Sequence, residues 1–275
     1  INESVDQTNQ ELNGFTNGQL SLVQTDEQRQ AMASKASEIL KEPLSQPAAV
    51  ELMLTHSPQF QTVLAENWAQ AAQAAQSGRI HNPVFAFERL RIKDELELGR
   101  LLSFGLLDLL SLPARQGIAR TQLDRAQLQL TSSVVDQVTQ VRQAWVDAVA
   151  AQQAYTYAQQ VFESAQTSAE LARRMQEVGN FTRLQRARQQ SFYADAALNL
   201  AATRHKATAM REALVRMLGL TTDQAAQLKL PDRLPDLPQA PKAPSEVAKQ
   251  GENRLDVRMA KQGFDASAKA QGLGN

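Results

Sequence analysis

No cysteine occurs anywhere in the 275 residues, so disulfides, thiolate metal sites and cysteine nucleophiles are excluded together. Aromatics are scarce, at 5% against 43% hydrophobic residues overall, which suits an alanine-rich helical core better than the interior of a globular enzyme. Net charge is also missing. Twenty-nine Lys and Arg balance 29 Asp and Glu, leaving no field to draw in nucleic acid or an anionic membrane surface. Long apolar runs are absent as well: Leu101 to Leu112 is interrupted by Ser103, Gly105, Asp108 and Ser111, far short of the roughly 20 residues of a spanning helix. A β-strand needs only about 9 to 11 residues to cross a bilayer, so insertion as a barrel stays open. No basic region followed by an apolar core opens the chain, and Ile1 points to a processed or trimmed product.

What is present is mostly helix. Residues 1–43 read as an irregular polar arm with a helical piece near Glu27 to Leu40, closed by Pro43 and Pro47. The Ala- and Gln-rich stretch that follows predicts one helix over 47–78, stopped by Gly78. Asn82-Pro83 then breaks the helix, and the period-two alternation of Val84, Ala86, Leu90 and Ile92 with Phe85, Phe87, Arg89 and Arg91 predicts a strand over 83–93. A second strand is expected over 96–112, where an amphipathic helix also fits the pattern.

The dominant feature is the stretch from 114 to 178, which contains a single glycine, Gly117, and no proline. Beyond that glycine it runs for roughly 60 residues, about 90 Å if helical. Val134, Val138, Val141, Trp145, Ala148, Gln152, Tyr155, Ala158, Phe162, Ala165, Ala169 and Ala172 recur at three and four, a near-heptad pattern that specifies one helix against another. Gly179-Asn180 ends this rod, and Thr182 with Gln185 forms a capping box that opens a returning helix over 182–219. Residues 221–244 hold five prolines and read as an extended linker. At 245–275, Pro244-Ser245-Glu246-Val247 repeats the helix entry of Pro47-Ala48-Ala49-Val50, as a second repeat would.

Chemistry-bearing clusters are thin. His56, His81 and His205 lie far apart with no carboxylate at metal-ligand spacing, so no metal site and no cofactor are expected. Neither a glycine-rich phosphate loop nor a Gly-x-Ser-x-Gly elbow occurs, and Asp94-Glu95 with Glu97 reads as a solvated strand connection. No catalytic residue is assigned and the chain is not expected to be an enzyme. The position singled out is the hairpin tip, Val178, Gly179, Asn180 and Phe181, an exposed turn at the end of a rod. Arg173 and Arg174 stand beside it, available to an acidic partner or to the helix dipole.

Together these features resemble the TolC-like outer membrane efflux family, over about residues 44 to 275, and within it the metal-efflux branch typified by CzcC and CusC. The resemblance is carried by His81-Asn82-Pro83-Val84, by Val178-Gly179-Asn180-Phe181, and by the run Ala187-Arg188-Gln189-Gln190-Ser191-Phe192-Tyr193-Ala194-Asp195-Ala196 with Met217-Leu218-Gly219. Arg254-Leu255-Asp256-Val257 resembles the second-repeat Arg-Pro-Asp motif, with leucine in place of proline. The resemblance implies a mainly α fold: a long antiparallel, coiled-coil-like hairpin plus a short strand pair that joins a shared outer membrane barrel. The domains are then an N-terminal arm (1–43), a first repeat (44–220), a Pro-rich linker (221–244) and the start of a second repeat (245–275), a truncated form of the full arrangement.

The implied function is the outer membrane channel of a tripartite efflux system, exporting small solutes, heavy-metal cations among them. The implied location is the outer membrane with a helical extension into the periplasm. The implied partners are a periplasmic adaptor protein meeting the hairpin tip, an inner membrane pump, outer membrane lipid and two further copies in a homotrimer, with no nucleic acid. Where two helix tips interlock a small residue is needed, and Gly179 supplies it. The alternative reading is a soluble periplasmic coiled-coil adaptor or scaffold, in which Leu96 to Leu112 is helical and buried.

Overall fold

The computed structural model describes residues 6, 8–10, 12, 20, 23, 25–79, 82, 84–92, 95–103, 106–236 and 255–270. His81, Pro83, Asp94, Gly105, Pro244 to Val247 and Arg254, singled out above, lie outside them, as do Pro238 and Pro241 of the linker. In chain order the elements are α1 (Asp26–Ile39), α2 (Gln46–His56), α3 (Pro58–Ser77), β1 (Val84–Ile92), β2 (Glu95–Ser103), α4 (Leu106–Glu177), α5 (Arg183–Leu218), α6 (Thr222–Gln227) and α7 (Leu255–Ala270). The fold is mainly α, with a long antiparallel helical hairpin and one small two-stranded sheet.

Four boundaries differ from the sequence expectations, each for a local reason. The helix expected over 47–78 is two helices: Ser57 is extended (φ −68°, ψ 117°), as a residue before proline prefers to be. The strand expected over 96–112 ends at Ser103, and helix begins at Leu106. Both readings of that window were correct for part of it. The helix expected over 114–178 therefore starts earlier and carries Pro113 inside it, in its third turn, where the missing N–H leaves the carbonyl four residues back without its usual donor. The linker expected to be extended from 221 opens instead with a short helix, because Thr221 and Gln224 form a capping box.

The chain divides into two compact units. One comprises 5–62 and 134–241. Its core is built from Leu40, Leu44, Leu52, Met53, Leu54 and Phe60 together with Val134, Val138, Val141, Trp145, Leu214 and Leu218. Burying each of the larger of these side chains stabilises the unit by about 1.5–3 kcal/mol. α1 rests on α2, helped by Lys35 against Glu51 at 2.6 Å, and α2 rests on α5. The indole N–H of Trp145 donates to the Leu44 carbonyl at 2.7 Å, and the Leu44 N–H donates to Lys229 at 2.9 Å. Arg211 donates to the carbonyls of Ala225 and Leu228, fixing the end of α6.

Along α4 the buried residues change character. Val134, Val138, Val141, Trp145 and Val149 fill the seam near its base, whereas beyond residue 150 only Ala151, Ala158, Ala165 and Ala172 are buried. On α5 the buried side chains are Ala196, Ala207, Leu214, Val215 and Leu218, and none precedes Ala196. The hairpin is thus held by large side chains at its base and by alanines toward its tip.

The other unit comprises 63–133 and 242–275 among its described parts. β1 and β2 pair antiparallel from Val84↔Ser103 to Ile92↔Glu95. Leu64, Ala74, Ala119, Leu128 and Leu130 are buried here. The approach of α3 to α4 is close: a methyl at Gly78 would sit 2.7 Å from the Ala119 methyl. A groove of about 810 Å³ between these helices is lined largely by amides, among them Asn67, Gln70, Gln73, Gln122 and Gln129.

Candidate functional site

Four residues reverse the chain at the hairpin tip. Gly179 takes the left-handed conformation (φ 82°), which a residue with a Cβ adopts only at a cost. The N–H of Asn180 donates to Met175 at 2.8 Å and that of Gly179 to Gln176 at 3.1 Å, so the last carbonyls of α4 are satisfied in a Schellman arrangement. The N–H of Phe181 also donates to Met175, at 3.1 Å. On the other side of the turn Thr182 caps α5: its hydroxyl accepts from the Gln185 N–H, and the Gln185 side chain accepts from the Thr182 N–H at 2.8 Å. The turn is stapled across its legs by Arg186, which donates to Gln176 Oε1 at 2.8 Å. Val178 is left 70% exposed at the apex with Phe181 half-buried beside it.

The charges next to the tip are paired with one another. Arg173 grips Glu170 with two hydrogen bonds (2.8 and 2.9 Å) and reaches Glu177 at 2.7 Å, while Arg174 Nε donates to Glu170 at 2.7 Å. The hydrogen bond from Arg173, then that from Arg174, pulls the Glu170 carboxyl down to about 2, and Glu170 raises Arg173 further above its ordinary value. Arg173 and Arg174, expected to await an acidic partner or the helix dipole, thus find carboxylates on their own helix. Sequence reasoning missed Glu170 and Glu177 in this role, although their i, i+3 and i, i+4 spacing carries the signal.

Toward the middle of the hairpin, Phe162 and Tyr193 bring their rings to 5.4 Å, and an open groove of about 540 Å³ runs beside them. Its floor is Ala197, Leu200 and Ala201, with Arg204 and His205 at the rim. His56 is elsewhere, hydrogen-bonded to Gln224 at 3.1 Å. Among the described residues no three His, Asp or Glu side chains gather as a metal site would require, and no helix is long and apolar enough to cross a membrane.

On the sheet, Val84, Phe85, Phe87 and Leu101 are each more than half exposed, an unusual load of apolar surface for an isolated strand pair. The chain matches proteins of known structure. The similar structures include a membrane protein from Pseudomonas aeruginosa (TM-score 0.63, 20% identity, over 83% of this chain and 57% of that one). They also include the outer-membrane channel OprN (TM-score 0.62, 18% identity, 86% and 56%). A third is CusC, described for conformational changes that accompany folding and transmembrane channel formation (TM-score 0.61, 16% identity, 92% and 59%).

The chain has a TolC-like fold. It spans less than three-fifths of the length of each of these proteins. No family profile matches the sequence, and no curated protein matches it. The near-equal scores do not separate CusC from the other structures, so the likeness shows the fold without selecting a branch within it.

Proposed function

We propose that this chain is part of the outer membrane channel of a tripartite efflux system, which exports small solutes and, among them, heavy-metal cations. The observation that carries the reading is the strand pair: two nine-residue strands with the apolar side chains of Val84, Phe85, Phe87 and Leu101 exposed, followed in the chain by a long helical hairpin. Nine residues suffice for a tilted strand to cross the hydrocarbon core. In this reading β1 and β2 enter a barrel in the outer membrane shared by three copies, and the helices extend into the periplasm.

The tip residues Val178, Gly179, Asn180 and Phe181 meet a periplasmic adaptor, which links the channel to an inner membrane pump. Gly179 permits close approach, since nothing lies within 4 Å of where its Cβ would be. Residues 44–220 form the first repeat, and α7 opens a second: it starts at Leu255, which stands to Pro58 as Pro244 stands to Pro47. The coiled-coil scaffold reading needs Leu96 to Leu112 helical and buried. β2 is a strand over Glu95–Ser103, and Leu101 is 64% exposed.

The test is deletion of the gene followed by complementation with its full product, reading cellular accumulation of divalent heavy-metal cations and of a small organic dye. The expected result is higher accumulation on deletion, restoration on complementation, and the product in the outer membrane fraction. A product confined to the soluble periplasmic fraction, with accumulation unchanged, overturns the reading.

A further inference from the structure

β1 and β2 sort their charges by face. Successive strand positions belong to opposite faces, and the register ties each position of β1 to one of β2. One face therefore holds positions 85, 87, 89 and 91 with their partners 102, 100, 98 and 96: three arginines, two phenylalanines and three leucines, with no carboxylate. The opposite face holds Glu88, Glu95 and Glu97 among small and aliphatic residues, with no cation. Every one of these charges is paired in register with an uncharged residue: Arg89 with Leu98, Arg91 with Leu96, Arg100 with Phe87, and the glutamates with Gly99, Ile92 and Leu90. A sheet stabilised by its own cross-strand ion pairs would set opposite charges across the ladder. This one sets none there.

The three arginine positions are neighbours. Arg100 lies across from Phe87, Arg89 is one same-face rung further along, and Arg91 is one rung beyond that, each rung being roughly 7 Å. The cationic part of the face thus lies toward the β1–β2 connection, and Phe85 lies toward the end where the chain passes to the helices. Phe85 and Phe87 are 64% and 56% exposed, and Arg100 is exposed with them. An apolar half followed by a guanidinium-bearing half has the pattern of an acyl chain followed by an anionic headgroup. Guanidinium groups take phosphate oxygens two at a time, which suits a phosphorylated headgroup better than an isolated carboxylate.

We propose that this is the lipid face of the strand pair, and that Arg89, Arg91 and Arg100 bind the phosphate of an acylated outer-leaflet lipid whose chains lie along Phe85 and Phe87. The inference rests on the barrel reading above, in which the connection between the strands reaches the outer leaflet and the helical end faces the periplasm. An arginine facing lipid is costly at the midplane and nearly free at the interface, and its long stem carries the charge toward the headgroups. The reverse orientation sets Glu88, Glu95 and Glu97 against the same phosphates, where like charges repel, and turns two phenylalanines to water. The glutamate face is left to the water-filled interior.

Two measurements on the full gene product test it. Native mass spectrometry in detergent reads the affinity for lipid A carrying two phosphates, for phosphatidylcholine and for inorganic phosphate. Arg89→Gln plus Arg91→Gln is expected to weaken lipid A binding by at least about ten-fold and to leave phosphatidylcholine unaffected, because each charge-assisted hydrogen bond lost is a large part of such a difference. Glu88→Gln is expected to change neither. Nitroxide labels at Phe87→Cys and Glu88→Cys, in vesicles of phosphatidylcholine and lipid A, read the two faces separately, since the chain has no cysteine of its own. The label at 87 is expected to be relaxed by oxygen dissolved in lipid, and the label at 88 by a water-soluble nickel chelate. Far-UV circular dichroism establishes that each variant is folded.

Labels that respond the other way round overturn the orientation. An arginine variant that binds lipid A as the parent does, or that loses both lipids equally, overturns the phosphate site. Inorganic phosphate held as tightly as lipid A overturns the lipid as occupant. Any of these in a product that sits in the outer membrane fraction leaves the channel reading standing, whereas a product confined to the soluble periplasmic fraction overturns both.

Discussion

Trp145 and Leu44 stand 101 positions apart in the chain, yet the indole N–H of one donates to the carbonyl of the other at 2.7 Å within the core. Because Leu44 also donates its own N–H to the Lys229 carbonyl, one short segment between α1 and α2 is fixed to both α4 and the stretch after α6. Trp145→Phe keeps most of the packing and removes the donor, leaving a buried carbonyl unsatisfied. The expected loss is about 1–3 kcal/mol. Trp145→Ala adds a cavity and is expected to cost about 3–5 kcal/mol. Urea unfolding followed by far-UV circular dichroism measures both, and equal losses for the two would refute the separate role of the hydrogen bond.

The two left-handed glycines of the hairpin differ in what surrounds them. A methyl on Gly219 (φ 70°) would collide with Pro58 Cδ and come within 3.1 Å of Ser57 Cα, whereas one on Gly179 meets only solvent. Gly179→Ala is expected to cost about 1 kcal/mol, from backbone conformation alone. Gly219→Ala is expected to cost about 2–4 kcal/mol, since α2–α3 and α5 must also separate. Thermal unfolding of the pair checks the order.

Glu170 gives a pH dependence of known sign. Its carboxyl is held down to about 2 in the folded hairpin, below its ordinary value of 4.5. A depressed carboxylate contributes stability above the unfolded value, and that contribution is lost as pH falls toward 2. The pairing of Glu170 with Arg173 and Arg174 is therefore expected to persist at pH 4 and to disappear near pH 2. A carbon-13 NMR titration of the Glu170 carboxyl reads this directly, and a midpoint near 4.5 would refute it. High salt raises the midpoint, because the cluster is exposed.

Phe85 and Phe87 occupy alternate positions of β1, opposite Leu102 and Arg100. Replacing both by Asp is expected to reduce recovery of the full gene product in the outer membrane fraction at least several-fold, with helix content retained, because charge on a lipid-facing strand position is costly. Unchanged recovery would place these rings away from lipid.

The hairpin was legible in the sequence because its signal is local and repeated. Of the residues expected at the seam, Val134, Val138, Val141, Trp145, Ala148, Ala158, Ala165 and Ala172 are buried, while Gln152, Tyr155, Phe162 and Ala169 are half-buried. The break at Ser57 was not, since the surrounding Ala- and Gln-rich run outweighed the effect of one proline. Leu106 to Leu112 was read as strand because a short apolar run satisfies both periods, and length alone decides between them. The bond from Trp145 to Leu44 leaves no trace in spacing at all. At the tip, the turn chemistry of Gly179 and Thr182 is legible in the sequence, while the Glu170–Arg173–Arg174–Glu177 cluster shows there only as i, i+3 and i, i+4 spacings of charge, which do not by themselves fix which partner each arginine takes.

The change from valine and tryptophan to alanine along the α4 seam sets how the hairpin yields to force. Interdigitated side chains at the base resist both sliding and axial rotation, so that end behaves as a clamped root. Alanine layers toward the tip lock less, so that beyond the Phe162–Tyr193 contact the two legs are tied mainly by the bond from Arg186 to Gln176 and can roll against each other by small angles. Backbone amides close to the tip are thus expected to exchange with solvent through shallow local openings, while those near Val138 exchange only when the unit unfolds. The hairpin acts as a cantilever, compliant at its free end and rigid at its support.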